Sequence, residues 1–168
     1  MQQQIVEAYV GLGSNLGDAG RNLQLAAALL SSLKDVYPGR KSRVYYTEPQ
    51  GVKDQPWFAN QVQQLYCGPQ WNPRLLLQTM LRLESSLGRV RDRIWGARSI
   101  DLDLLLFGRK SGIWQDLILP HPRLEERAFV LVPLAEIAPQ LKLSQDRSPA
   151  QLLQKLSYKI QGNRIWQE

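Results

Sequence analysis

The stretch Ser99-Ile100-Asp101-Leu102-Asp103-Leu104-Leu105-Leu106-Phe107 is short, apolar and bounded by turn residues, and it reads as a central β-strand. Side chains alternate across a strand, so Asp101 and Asp103 leave one face, roughly 7 Å apart at the backbone, while Ile100, Leu102 and Leu104 turn to the core. Like charges side by side repel, and the pair needs solvent, basic partners or a cation. Magnesium suits the geometry, because one or two carboxylates commonly hold it while waters and substrate phosphates complete its shell. For the pair taken alone, a solvated polar face is the alternative.

Immediately upstream, Arg89-Val90-Arg91-Asp92-Arg93-Ile94-Trp95-Gly96-Ala97-Arg98 places four arginines and a tryptophan in ten residues. Guanidinium groups bind phosphate oxygens bidentately, whereas carboxylates repel phosphate unless a metal lies between them. Both together point to a metal-bridged polyphosphate, the bland alternative being an exposed basic loop without a partner. Downstream, His121 is the only histidine, set in Leu119-Pro120-His121-Pro122-Arg123 ahead of a helix carrying Arg127. It reads as a structural hydrogen-bonding group or a stiffly held donor to phosphate. Zinc lacks ligands, and the single cysteine, Cys67, cannot form an intramolecular disulfide.

Farther out, strand and helix signals alternate. Residues 5–10 read as a strand running into Gly11-Leu12-Gly13-Ser14-Asn15-Leu16-Gly17-Asp18, a helix follows from about Ala19, and Tyr37-Pro38-Gly39 stops it. The glycine segment matches neither a P-loop nor a dinucleotide fingerprint, so a tight turn with a left-handed glycine is expected. Residues 42–47 and 60–67 read as strands, with a loop over 48–58. Asn72 caps a helix with Pro73 in its first turn, Glu84 in its last turn and Gly88 as terminator. Residues 114–119 are expected as the hairpin partner of the central strand. A helix over 124–137 breaks at Pro133, and Ser148-Pro149 opens a final helix. This order fits an α+β sandwich better than a doubly wound parallel sheet.

The length of 168 residues suits one domain over 1–168, and 43% hydrophobic with 21% charged residues marks an ordinary globular chain. A net charge of +6 favours an anionic partner. Without a secretory signal or a membrane-length apolar run, a cytoplasmic protein is expected.

The motifs around Asp101 and Asp103 resemble the 6-hydroxymethyl-7,8-dihydropterin pyrophosphokinase family of folate biosynthesis. The likeness extends over Tyr9-Val10-Gly11-Leu12-Gly13-Ser14-Asn15, Thr47-Glu48-Pro49, Asp54-Gln55-Pro56, Gly88-Arg89, Trp95-Gly96-Ala97-Arg98, Pro120-His121-Pro122-Arg123 and Arg127-Ala128-Phe129, with order and spacing kept over residues 5–140. The resemblance implies a ferredoxin-like α+β sandwich with a mainly antiparallel sheet, and transfer of pyrophosphate from ATP to the pterin alcohol with AMP leaving. It makes Asp101 and Asp103 the ligands of two Mg2+ ions and, with Arg89 and Arg98, the catalytic set. Glu84, Arg89, Trp95, Arg98, Leu104 (through its backbone), His121 and Arg127 would meet ATP. Phe58 and Phe129 would stack on the pterin while Thr47 and Asn60 read its edge. Departures from the family pattern fall at Ile94 and Ala97, in an arginine loop about one residue shorter than in some members, and after Gln151 the likeness loosens.

The expected partners are ATP and the pterin, with neither nucleic acid nor membrane, in a monomer or weak dimer. The competing class is a basic module that binds single-stranded nucleic acid by stacking and phosphate contacts, against which the carboxylates of the central strand argue. A nucleotide sensor that kept the site and lost turnover is the third reading.

Overall fold

The computed structural model describes residues 4–88 and 99–168. Nine strands and four α-helices are found among them: β1 (Val6–Ser14), α1 (Ala19–Ser31), β2 (Val36–Lys41), β3 (Tyr45–Thr47), β4 (Phe58–Cys67), α2 (Pro73–Ser86), β5 (Asp101–Phe107), β6 (Gly112–Ile113), β7 (Ile118–Leu119), α3 (Ala128–Ile137), α4 (Pro149–Leu153), β8 (Tyr158–Gln161) and β9 (Arg164–Gln167). Seven strands form one sheet in the order β5-β1-β4-β3-β9-β8, with β2 also paired to β4. Long β4 is shared, its C-terminal half pairing with β2 and its N-terminal half with β3. The sheet is mixed, because β3 and β9 run parallel while its other pairings are antiparallel.

Period-two alternation divides the interior into two cores. Ala8, Val10 and Leu12 of β1 join Leu102 and Leu104 of β5 against Leu23 and Leu30 of α1 and Leu76 and Met80 of α2. On the opposite face, Tyr9, Val62 and Leu105 pack against Leu131 and Leu134 of α3 and Leu152 of α4. A bulge between Tyr9 and Val10, where β1 shifts register on β5, lets both Leu105 and Leu106 reach that second core.

Several expectations give way here. Tyr37-Pro38-Gly39 lies inside β2 and does not form a turn. Among the described residues β2 pairs only with β4, so the missing proline N–H breaks no second ladder, and a Cβ on Gly39 would sit 2.5 Å from Gln64 Oε1. Residues 114–119 do not pair with β5, because β6 and β7 form their own two-stranded sheet. The break in the 124–137 helix falls at Arg127, between a 3-10 turn over Leu124–Glu126 and α3, while Pro133 stays inside α3. The final helix does open at Ser148-Pro149, with a Ser148–Gln151 capping box at its start; it runs five residues, and the hairpin β8–β9 follows it. By contrast, α2 starts and stops as its caps dictate, with the Asn72 side chain accepting from Leu75 N and Gly88 at φ +80°.

Candidate active site

Asp101 and Asp103 stand at the start of β5, opposite Gly13 and Gly11 of β1. Residues paired across an antiparallel ladder share a face, so the strand next to the two acids carries no side chain where they emerge. One strand further on, Gly13 pairs with Asn60 and Gly11 with Val62. The result is a bare floor between the carboxylates and Asn60. A Cβ added at Gly11 would meet Asp103 Cβ at 3.7 Å, and one at Gly13 would meet Asn60 Oδ1 at 3.4 Å. The expected tight turn is thus a strand as far as Ser14, and within the segment only Gly17 takes a left-handed φ, +66°. Glycine inside a strand commonly marks the close approach of a ligand.

The turn residues after the floor tie down its surroundings. Ser14 Oγ donates to the Ser99 carbonyl at 2.6 Å, and Asn15 Nδ2 donates to Gln55 Oε1 and to the Pro56 carbonyl. These bonds bring the start of β5 and the 48–58 loop to the same end of β1.

Two cationic or polar groups converge on Asp103. Arg127 Nη1 lies 3.9 Å from its Oδ2 and His121 Nε2 lies 4.0 Å from its Oδ1. His121 is held there by its own N–H, which donates to the Leu105 carbonyl at 2.9 Å. Burial, reinforced by the Arg127 guanidinium, pushes its pKa down to about 4, so the ring is neutral near pH 7. Its Nδ1 accepts from the Arg123 N–H at 3.2 Å, which assigns the ring proton to Nε2, the nitrogen turned to Asp103. Burial also lowers the Arg127 pKa from its usual value, against the pull of Asp103. That guanidinium lies over the Phe129 ring at 5.4 Å.

Thr47, Phe58, Asn60 and Phe129 line one cavity of about 100 Å³ together with Asp101, Asp103 and Arg127. Asn60 Nδ2 donates to Thr47 Oγ1 at 2.9 Å and to the Phe58 carbonyl at 3.2 Å. The amide nitrogen is therefore engaged, and its Oδ1 lies beside Gly13. Among the described residues no three or more of His, Cys, Asp and Glu gather as a metal site. A cation here would take the two carboxylates and draw its other ligands from water or substrate, a donor set that fits magnesium and not structural zinc.

Glu84, expected at the nucleotide end, is tied into the sheet. It is 2% exposed, and its Oε1 accepts from the Leu102 N–H at 2.7 Å, so it holds β5 against α2 and lies outside the cavity wall. Leu104 buries its side chain, yet its backbone faces the same outer edge of β5 as that of Leu102, two residues earlier. Arg89, Trp95 and Arg98 lie outside the described residues. Reasoning from sequence missed Gly11, Gly13, Glu48 and Gln50 as wall residues. The two glycines carry the same period-two spacing as Asp101 and Asp103, a signal that pairing of the two strands turns into a site.

The profile of the 7,8-dihydro-6-hydroxymethylpterin-pyrophosphokinase (HPPK) family matches residues 9–139. A relative from Bacillus subtilis (strain 168), named 2-amino-4-hydroxy-6-hydroxymethyldihydropteridine pyrophosphokinase, is 40% identical over 161 residues, covering 96% of this chain and 90% of its own. One of the same name from Methylorubrum extorquens is 43% identical, covering 82% of this chain and 85% of its own. Among solved structures, Plasmodium falciparum HPPK-DHPS with pteroate superposes at a TM-score of 0.69 over 98% of this chain. This chain spans 48% of that one, and at 13% identity the likeness is one of fold.

Proposed function

This chain belongs to the 7,8-dihydro-6-hydroxymethylpterin-pyrophosphokinase family, and we infer from that premise how its cavity carries the family's reaction. It is a transferase that moves the pyrophosphoryl group of ATP to 6-hydroxymethyl-7,8-dihydropterin in folate synthesis. The observation that carries the residue roles is the bare floor of Gly11 and Gly13, which joins Asp101 and Asp103 to Asn60 in one cavity.

In this reading Phe58 and Phe129 hold the flat pterin and Asn60, braced by Thr47, turns its Oδ1 to the ring's donor edge. The hydroxymethyl arm crosses the glycine floor towards the carboxylates. Its oxygen attacks the β-phosphorus of ATP in line, a new O–P bond forms, the bond from that phosphorus to the α–β bridging oxygen breaks, and AMP leaves with that oxygen. The alcohol proton passes to solvent. Asp101 and Asp103 would hold Mg2+, two ions in this reading, which when bound neutralises phosphate charge and orients the attacking and leaving oxygens. Arg127 binds the triphosphate beside Asp103, and neutral His121 donates its Nε2–H to a phosphate oxygen. Arg89, Trp95 and Arg98 are assigned to the nucleotide by family resemblance, and the Leu104 backbone to the adenine. Little covalent chemistry falls to the protein, so positioning and charge neutralisation supply the acceleration.

The order β5-β1-β4-β3, with α1 and α2 on one face, supports reading the fold as a ferredoxin-like sandwich extended by the β8–β9 hairpin. We take residues 1–168 as one pyrophosphokinase domain, acting in the cytoplasm as a monomer or weak dimer. The direct test is incubation with ATP, the pterin and magnesium. AMP and pterin diphosphate are expected in equal amounts and only with the metal, whereas ADP as product would overturn the pyrophosphoryl assignment.

A further inference from the structure

Gln167, the last residue of β9, turns both ends of its side-chain amide to the segment that carries Arg127. Its Oε1 accepts from the Ala128 N–H at 2.7 Å, and its Nε2 donates to the Glu126 carbonyl at 2.6 Å. The two bonds land on either side of Arg127, whose backbone is extended at φ −113° and ψ 109°. In an uninterrupted helix the Ala128 N–H would bond to Leu124 and the Glu126 carbonyl would accept from Val130. Here the Val130 N–H goes to the Arg127 carbonyl instead, at 3.1 Å. Gln167 therefore supplies partners for two backbone groups that the break at Arg127 takes out of the helical ladder.

The seat of Gln167 is itself fixed. β9 pairs in parallel with β3, where Thr47 lies opposite Ile165, and Ile165 is buried in the second core. We propose that Gln167 is a positioning residue: it holds the extended break, and so aims the Arg127 guanidinium at Asp103 and sets Phe129 in the cavity wall. The inference rests on the pyrophosphoryl-transfer reading, in which Arg127 meets the triphosphate. It gives a role at the site to the C-terminal hairpin, the part of the chain whose sequence resembles the family only loosely.

The test compares kcat, the KM for each substrate and the melting midpoint across wild type, Gln167→Ala, Gln167→Glu, Arg127→Ala and the Arg127→Ala/Gln167→Ala double variant. Gln167→Ala is expected to lower kcat about tenfold or more, because small misplacements of a charged group are costly in the transition state. Its melting midpoint should stay within about 5 °C. Gln167→Glu keeps the acceptor for Ala128 and loses the donor for Glu126, so its kcat should fall between. On the Arg127→Ala background, loss of the amide should cost clearly less than in the wild type, the remaining loss being its effect through Phe129, since residues acting through one another are not additive. Wild-type kcat in Gln167→Ala, or the same fold-loss with and without Arg127, would overturn the proposal. If Gln167→Ala does not fold, Gln167→Glu decides, and an unchanged kcat there refutes it. A wild-type protein that forms no AMP would remove the reaction assignment instead. Amide exchange at Ala128, expected to quicken in Gln167→Ala, would still test the bracket, and unchanged exchange would overturn it.

Discussion

Replacing Gly13 by alanine isolates the floor of the cavity from everything around it. The φ of Gly13 lies outside the left-handed range, so an L residue suits the backbone, and the lost flexibility of the unfolded chain should favour the variant by about 0.5–1 kcal/mol. Against this, the new methyl meets Asn60 Oδ1 at 3.4 Å, with the Ala59 carbonyl at 4.0 Å, a squeeze relieved by a shift of a few tenths of an ångström. The two terms oppose each other, and a net change of at most about 1 kcal/mol moves the melting midpoint of a chain this size by no more than roughly 2–4 °C. Function responds differently, because the methyl rises between Asp101 and Asn60, where the acceptor alcohol must pass. Displacing that oxygen by about 1 Å costs about 100-fold in rate. Thermal melting, pterin titration and steady-state kinetics together measure both sides. The expected result is a near-normal midpoint, unchanged ATP affinity and kcat/KM for the pterin down about 100-fold. A folded Gly13→Ala protein with wild-type kcat/KM would refute the idea that the alcohol crosses this floor.

Asp101→Ala and Asp103→Ala should each leave the protein folded and lower turnover by about a thousandfold or more, because the triphosphate loses its charge neutralisation. Near-normal kinetics in both variants would remove the metal-ligand assignment. In metal-free protein, the His121 pKa is depressed from 6.5 to about 4, so the unfolded chain takes up a proton as pH falls through 6.5 while the folded ring stays neutral. Stability should therefore be complete above about pH 6.5 and drain away towards pH 4, by on the order of 2–3 kcal/mol. Denaturant melts across that range read the slope, which His121→Gln should flatten, and an equal slope in the variant would show that the acid loss arises elsewhere.

The strand with the two acids and the helix α2 were legible because their signals are local: alternation bounded by turns, and caps at Asn72 and Gly88. Thr47, Phe58, Asn60 and Phe129, which only the family resemblance groups around a pterin, line one cavity. What escaped depends on tertiary partners. Gly11 and Gly13 look like a turn until β1 is paired with β5, and Pro38-Gly39 looks like a stop until an outer strand passes close over Gln64. Local sequence assigns the helix break to Pro133. It belongs to Arg127, because Gln167, forty residues on in sequence, supplies the hydrogen bonds that local sequence cannot. Motif position alone places Glu84 at the nucleotide, and only the fold gives its carboxylate a backbone partner in Leu102.

Among the described residues the large sheet has open edges at β2, β5 and β8, and such edges invite pairing with other chains. On β5 the outward Leu102 N–H is claimed by Glu84 and the outward Leu105 carbonyl by the His121 N–H, so a foreign strand finds both groups occupied. β8 is only four residues long and carries Lys159, a charge that resists edge pairing. Solubility and site geometry thus draw on the same bonds, and loss of the Glu84 carboxylate would register as self-association of the sheet as well as a displaced strand.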